Sequence, residues 1–282
     1  MNKYNVAIMG ATGAVGQVMM EILAEREFPL GELRLLASAR SAGRELVYRG
    51  NTIAVQELKE DSFKGIDIVL ASAGGGLSKE FNSHAVAAGA VVVDNTSAFR
   101  MDPQVPLVVP EINAHDLDAH RGIIANPNCS TIIMDVVVWP LYQRRRVKRI
   151  VVSTYQAVSG AGARAMEELE QQTRQVLAGE EAEAAEFPHQ IAFNLFSHNS
   201  DIGPEGYCEE EIKMIRETHK MFHDSEVQVT ATTIRVPVMR AHSEAINLEF
   251  TEPFPAAEAR EILAQAPGVL LVDEPEQSQF PM

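Results

Sequence analysis

The sequence predicts an α/β protein in two parts: a parallel sheet with helices on both faces over residues 1–127, then an α+β part over residues 128–282. Three observations predict it. Through the first half, short apolar runs alternate with helix-period segments, the pattern that builds parallel sheets. A glycine-rich turn stands between the first run and the first helix. Beyond residue 145 the runs become longer and β-branched and are separated by two helices, which suits a mixed or antiparallel sheet.

The elements follow in order. Residues 6–9, 33–37, 66–71, 90–93, 107–109 and 123–125 read as strands, and 15–25 and 78–88 as helices. Pro127 holds Asn126 extended, and Asn128 can cap a helix over 130–143 that leads into the second part. There, 149–156, 226–238 and 244–250 read as strands and 164–178 and 209–222 as helices. The Ala/Glu-rich stretch 179–186 reads as a solvated helix end or surface loop.

Composition narrows the function. With 46% hydrophobic and 22% charged residues in 282, the chain suits a globular protein with a sizeable core. No apolar stretch approaches the roughly 20 residues of a membrane span. Residues 1–6 lack the shape of a signal peptide, and two cysteines make no disulfide framework, so the cytoplasm is expected. The net charge of −15 argues against nucleic acid. It also means that an anionic substrate must be held by local Arg or Lys. No metal-ligand spacing stands out.

Gly10, Thr12, Gly13, Ala14, Val15 and Gly16 form a G-x-x-G-x-x-G turn from strand to helix. Glycines let the backbone approach a pyrophosphate, and the helix start offers N–H groups to it. The turn predicts a Rossmann-type dinucleotide-binding domain; on residues alone, a tight ligand-free turn stays open. At the end of the second strand an NAD site usually carries an acid, but this chain has Ser38, Arg40 and Ser41. Hydroxyls and a guanidinium suit a 2′-phosphate and favour NADP, unless Arg40 is only a solvated loop residue. Ser72 and Gly74 lie where a cofactor would pass the strand ends, or in a flexible turn.

Cys129 follows the capping Asn128. A thiol in a first helical turn feels the helix dipole, which makes it more acidic and suits a thiolate nucleophile. The segments Asn126–Thr131, Ser153–Gly162 and Arg235–His242, with the glycine turn and Ser97–Met101, resemble aspartate-semialdehyde dehydrogenases along essentially the whole chain.

This resemblance implies a Rossmann-type domain followed by a catalytic and dimerisation domain. It implies NADPH-dependent reduction of L-aspartyl 4-phosphate to aspartate 4-semialdehyde, on the route to lysine, threonine and methionine. In that pattern Cys129 attacks the acyl phosphate, His242 is the acid/base and Gln156 orients substrate or imidazole. Arg235 grips the carboxylate and Glu210 the ammonium. Lys213, Arg100 and Asn128 bind phosphate, and Ser159 and Gly160 complete the cofactor site. Glu210 is chosen among three consecutive glutamates by its spacing to Lys213; an exposed i,i+3 pair is the plain alternative. Cys208 is read as structural, and the other seven histidines, His198 among them, receive no role.

The resemblance also implies a homodimer or homotetramer. Family members generally continue past the position of Met282 with a strand and a long helix, so the C-terminal part of the family fold is expected to be missing. The alternatives are an N-acetyl-glutamyl-phosphate reductase-like enzyme and a non-catalytic truncated homologue.

Overall fold

The structure is a computed structural model that describes residues 3–197 and 200–281. The chain divides into two compact units. Met1–Val108 with His115–Pro127 form the first, and Val109–Ala114 with Asn128–Met282 the second.

The first unit contains β1 (Tyr4–Met9), α1 (Ala14–Glu25), β2 (Leu30–Ala37), β3 (Glu45–Tyr48), β4 (Asn51–Ala54), β5 (Gln56–Glu57), β6 (Ile68–Ala71), α2 (Gly75–Ala87), β7 (Val91–Asp94) and β8 (Ile123–Ala125). Its six-stranded sheet has the order β5-β2-β1-β6-β7-β8, with every pair parallel. A parallel sheet must be covered on both faces, and β1 is apolar on both. Val6 and Ile8 join the core that contains Met20 and Leu23 of α1, whereas Ala7 and Met9 join the one that contains Phe81 and Ala85 of α2. Strand order runs outward from β1 in both directions, so β1 and β6 flank the topological switch point, where ligands of such sheets bind.

Leu107–Val109 is not the expected strand. Leu107 makes one isolated bridge to Ala125, and Val109 already caps α3 (Pro110–Asn113). Pro106 and Pro110 bracket the run and supply no N–H for a ladder, so it is buried and its strand pairing stops at that one bridge. The β3–β4 hairpin was not foreseen. It turns on Arg49 and Gly50, both at positive φ, where the sequence lacks the usual Asn-Gly signal.

The second unit contains α3, α4 (Cys129–Arg144), β9 (Val147–Gln156), α5 (Ala163–Leu177), β10 (Phe196–Ser197), α6 (Glu209–Phe222), β11 (Gln228–Arg235), β12 (Ser243–Phe250) and α7 (Ala256–Leu263). Its sheet is mixed, in the order β10-β11-β9-β12: β9 and β11 run parallel, and the outer pairs are antiparallel. The run expected over 226–238 is a strand only to Arg235, just short of Pro237. Ile150, Val152, Thr154 and Gln156 point to a buried face against which α4 and α6 pack. The opposite face, with Arg149, Tyr155, Thr232 and Ala245, is exposed. α7, also unforeseen, buries none of its residues fully.

Gly16 shows what the glycine turn requires. A Cβ there would lie 2.4 Å from the Gly10 carbonyl oxygen and 2.7 Å from the Ala11 Cα. Both are backbone atoms, so Gly16→Ala must open the turn. The expected cost is about 1–3 kcal/mol of stability, read as a lowered denaturation midpoint, with weaker dinucleotide binding.

Candidate active site

In the second unit the centre of the site is the start of α4. Asn128 caps it in extended conformation, and its Oδ1 accepts the N–H groups of Ser130 at 3.0 Å and Thr131 at 3.3 Å. Two of the helix's otherwise unsatisfied donors are thereby paired. Cys129, the first helical residue, is exposed and unoxidised.

Two buried acids of α6 hold the same asparagine. Its Nδ2 donates to Glu210 Oε1 at 2.7 Å, and its backbone N–H donates to Glu217 Oε2 at 2.6 Å. Glu210 Oε1 also accepts from Gln156 Nε2 at 3.3 Å, and Gln156 Oε1 accepts from Thr154 Oγ1 at 3.1 Å, which fixes the orientation of the amide. Lys213 Nζ lies 3.6 Å from Glu210 Oε2 and 2.9 Å from the exposed Glu209. The three consecutive glutamates separate by burial. Glu209 faces solvent, Glu210 is buried among Asn128 and Gln156, and Glu211 closes a capping box on Cys208. Cys208 is itself buried, with Sγ 3.4 Å from Thr233 Oγ1.

Arg235 ends β11 opposite Gln156 on β9. It is 3% exposed, and its Nη1 donates to the Ala157 carbonyl at 2.6 Å. Burial pushes its pKa down, and the negative charges of Glu210 and Cys129 oppose that shift. His242 returns from the other side: its Nδ1 accepts the Ala157 N–H at 2.9 Å. A backbone amide can only donate, so the neutral ring carries its proton on Nε2. Gly160 sits against both groups. A Cβ there would be 3.1 Å from His242 Nε2 and 3.3 Å from Arg235 Nη1. Ser159, its neighbour, is partly buried. Asn128, Cys129, Gln156, Glu210, Lys213, Arg235 and His242 thus belong to one unit and are linked through Glu210 and Arg235. His198 lies outside the described residues.

The remaining residues belong to the first unit. Gly10, Ser38 and Ser72 follow the carboxyl ends of β1, β2 and β6, three adjacent strands. Gly13 caps α1 with no side-chain hydrogen bond, so the first-turn N–H groups around Ala14 and Val15 are left to an outside acceptor. Thr12 is half-buried beside the exposed Gly13. Ser38 and Arg40 are exposed, but Ser41 is buried, its N–H returned to the Ser38 carbonyl at 2.8 Å. Gly74 is exposed at φ 96°. An uncapped helix start at a switch point, with a guanidinium beside the next strand end, fits a phosphorylated dinucleotide. Arg100, 8% exposed, donates from Nη2 to the Asn95 carbonyl at 3.0 Å.

Glu217 was missed in the sequence. A signal existed: with Met214 and Met221 it falls on the buried stripe of α6, where an acid is out of place unless it has a partner. The Ala157 amide left no trace in the sequence, since every residue but proline carries one.

Residues 5–120 match the family described as "Semialdehyde dehydrogenase, NAD binding domain", and residues 138–282 match "Semialdehyde dehydrogenase, dimerisation domain". The chain is 56% identical over 277 residues to the aspartate-semialdehyde dehydrogenase of Synechocystis sp., covering 98% of this chain and 82% of that protein. A crystal structure of aspartate semialdehyde dehydrogenase II from Vibrio cholerae, complexed with ASA, superposes with a TM-score of 0.93 at 46% identity, covering 95% of this chain and 80% of that one. The enzyme from Candida albicans, solved with NADP, gives a TM-score of 0.73 at 25% identity over 94% of this chain and 76% of that one. Site geometry and sequence kinship agree: this chain belongs to the aspartate-semialdehyde dehydrogenase family.

Proposed function

We propose that the protein catalyses the NADPH-dependent reductive dephosphorylation of L-aspartyl 4-phosphate to aspartate 4-semialdehyde through a thioester on Cys129. The observation that carries this reading is the chain of hydrogen bonds at the start of α4, in which Glu210 joins Gln156 to Asn128, the residue that precedes the exposed Cys129. Arg235 adds a buried cation that senses both Glu210 and Cys129.

The Cys129 sulfur attacks the acyl carbonyl and phosphate leaves, which splits one hard step into two easier ones. NADPH, when bound by the Gly10–Gly16 turn, supplies the hydride that reduces the thioester. In this reading the backbone N–H of Cys129, with the Nε2–H of His242, donates to the oxygen charge that develops at the carbonyl. With Nδ1 committed to Ala157, His242 acts first as a donor; accepting a proton at Nε2 would require the ring to release that bond. Arg235 pairs with the substrate carboxylate and Glu210 with its ammonium, while Lys213, Arg100 and Asn128 supply phosphate contacts. These cations answer the problem posed by a net charge of −15.

A homodimer is part of this reading. The matched family is described as a dimerisation domain, and the open face of β9, β11 and β12, with Tyr155 at 46% exposure, offers a surface for a second copy.

The deciding assay follows NADPH formation from aspartate semialdehyde, phosphate and NADP, with acetylated glutamate semialdehyde in parallel. Turnover of the acetylated compound alone would reassign the substrate, and no turnover of either by folded protein would leave a non-catalytic homologue. Cofactor choice has its own test. Arg40→Asp is expected to weaken NADP binding by roughly 10- to 100-fold and NAD binding far less, measured by fluorescence titration. Equal losses would mean that Arg40 does not contact the 2′-phosphate.

A further inference from the structure

We propose that Glu217 is a positioning residue for the nucleophile: its carboxylate holds the Asn128 peptide and so sets where the Cys129 turn begins. The inference rests on the thioester reading above, but its main readout does not.

Glu217 is 1% exposed, and its Oε2 lies 2.6 Å from the Asn128 nitrogen. A buried carboxylate needs such a partner, and a charge-assisted bond to a peptide N–H is both short and directional. The bond is one part of a wider registration of α4 by α6. Thr218 Oγ1 donates to Asp135 of α4 at 3.0 Å and 3.1 Å, and Phe222 packs on Trp139 and Tyr142 with ring centroids 4.9 Å and 5.1 Å apart. Those contacts fix the body of α4. At its start, Glu210 and Glu217, two turns apart on one face of α6, both hold Asn128, one by the side-chain amide and one by the backbone. Of the two, only the Glu217 bond restrains the backbone itself.

An anion one residue from a thiol disfavours the thiolate. Its presence there therefore makes sense as anchorage. This yields two separable signatures. Glu217→Gln keeps an acceptor oxygen and removes the charge, whereas Glu217→Ala removes both.

The test combines steady-state kinetics with the pH dependence of Cys129 carboxamidomethylation by iodoacetamide, read by mass spectrometry so that the buried Cys208 is distinguished. Glu217→Ala is expected to lose about 100-fold in kcat with little change in KM, the scale of a misplacement near 1 Å. Glu217→Gln is expected to recover most of that loss, and its alkylation midpoint to move to lower pH. If Glu217→Ala does not fold, Glu217→Met, which fills the same space without an acceptor, takes its place in the same measurements. A folded variant without the acceptor that keeps wild-type kcat and wild-type Cys129 alkylation overturns the proposal, as does a folded Glu217→Gln that recovers none of the loss. If the wild-type enzyme shows no turnover, the functional reading fails, yet the alkylation profiles still test the anchor.

Discussion

Cys129→Ser is expected to lower the rate of aldehyde formation by roughly 10³-fold or more while leaving the fold intact. A serine hydroxyl at the start of α4 feels the same helix dipole but stays un-ionised at neutral pH, so the attacking anion is scarce. Any oxygen ester that formed would accept hydride less readily than a thioester. Stability should hardly change, because Cys129 is exposed and the capping bonds belong to Asn128. Cys208→Ser is the control: that thiol is buried against the Thr233 hydroxyl, a serine keeps a polar partner for it, and kcat should stay nearly unchanged. NADPH formation in the phosphorylating direction, with thermal denaturation of each variant, makes the measurement. A serine variant within tenfold of wild type would sink the covalent mechanism.

The second large effect concerns stability rather than turnover. Glu244 on β12 faces the sheet's buried side opposite Thr154, and both carboxylate oxygens are buried with no hydrogen-bond partner among the described residues. Burial pushes its pKa from 4.5 up to about 8. Asp135 on α4, itself raised by burial, senses the charges of both Glu217 and Glu244. Between 4.5 and about 8 the native chain keeps a proton on Glu244 that the unfolded chain releases. Stability is therefore unaffected by this group at low pH, falls as pH rises through that window, and is lowest above it. The full loss is about 3–5 kcal/mol, since each tenfold difference in proton affinity between the folded and unfolded chain is worth about 1.4 kcal/mol. Glu244→Gln should match the parent near pH 4 and exceed it by several kcal/mol near pH 9, measured by urea unfolding. Equal slopes for parent and variant across that range would refute the assignment.

Much of this architecture is legible in residue order. The 209–222 helix begins and ends as its pattern predicts, and the apolar runs of the first half lie in a parallel sheet, because burial on both faces demands continuous apolar strands. Legibility fails where the deciding term is not periodic. The run at 107–109 is as apolar as a strand, but with a proline on either side its pairing stops at a single bridge to Ala125. The Arg49-Gly50 turn lacks the expected residues, and α7 has too little buried surface to leave a clear pattern.

The site divides in the same way. Cys129 behind a capping asparagine, the glycine turn and the strand-end arginine are local features, and local chemistry is written in consecutive residues. Which of Glu209, Glu210 and Glu211 turns inward is not, since it depends on the rotation of α6 against α4. Nor does residue order say that Glu217 meets a peptide 89 positions away, or that Ala157 dictates the protonated nitrogen of His242. Sequence alone determined the chemical groups and the local turns that carry them. Tertiary structure decided which carboxylates are desolvated and what they face, because burial and hydrogen-bond partnership arise only when distant segments pack together.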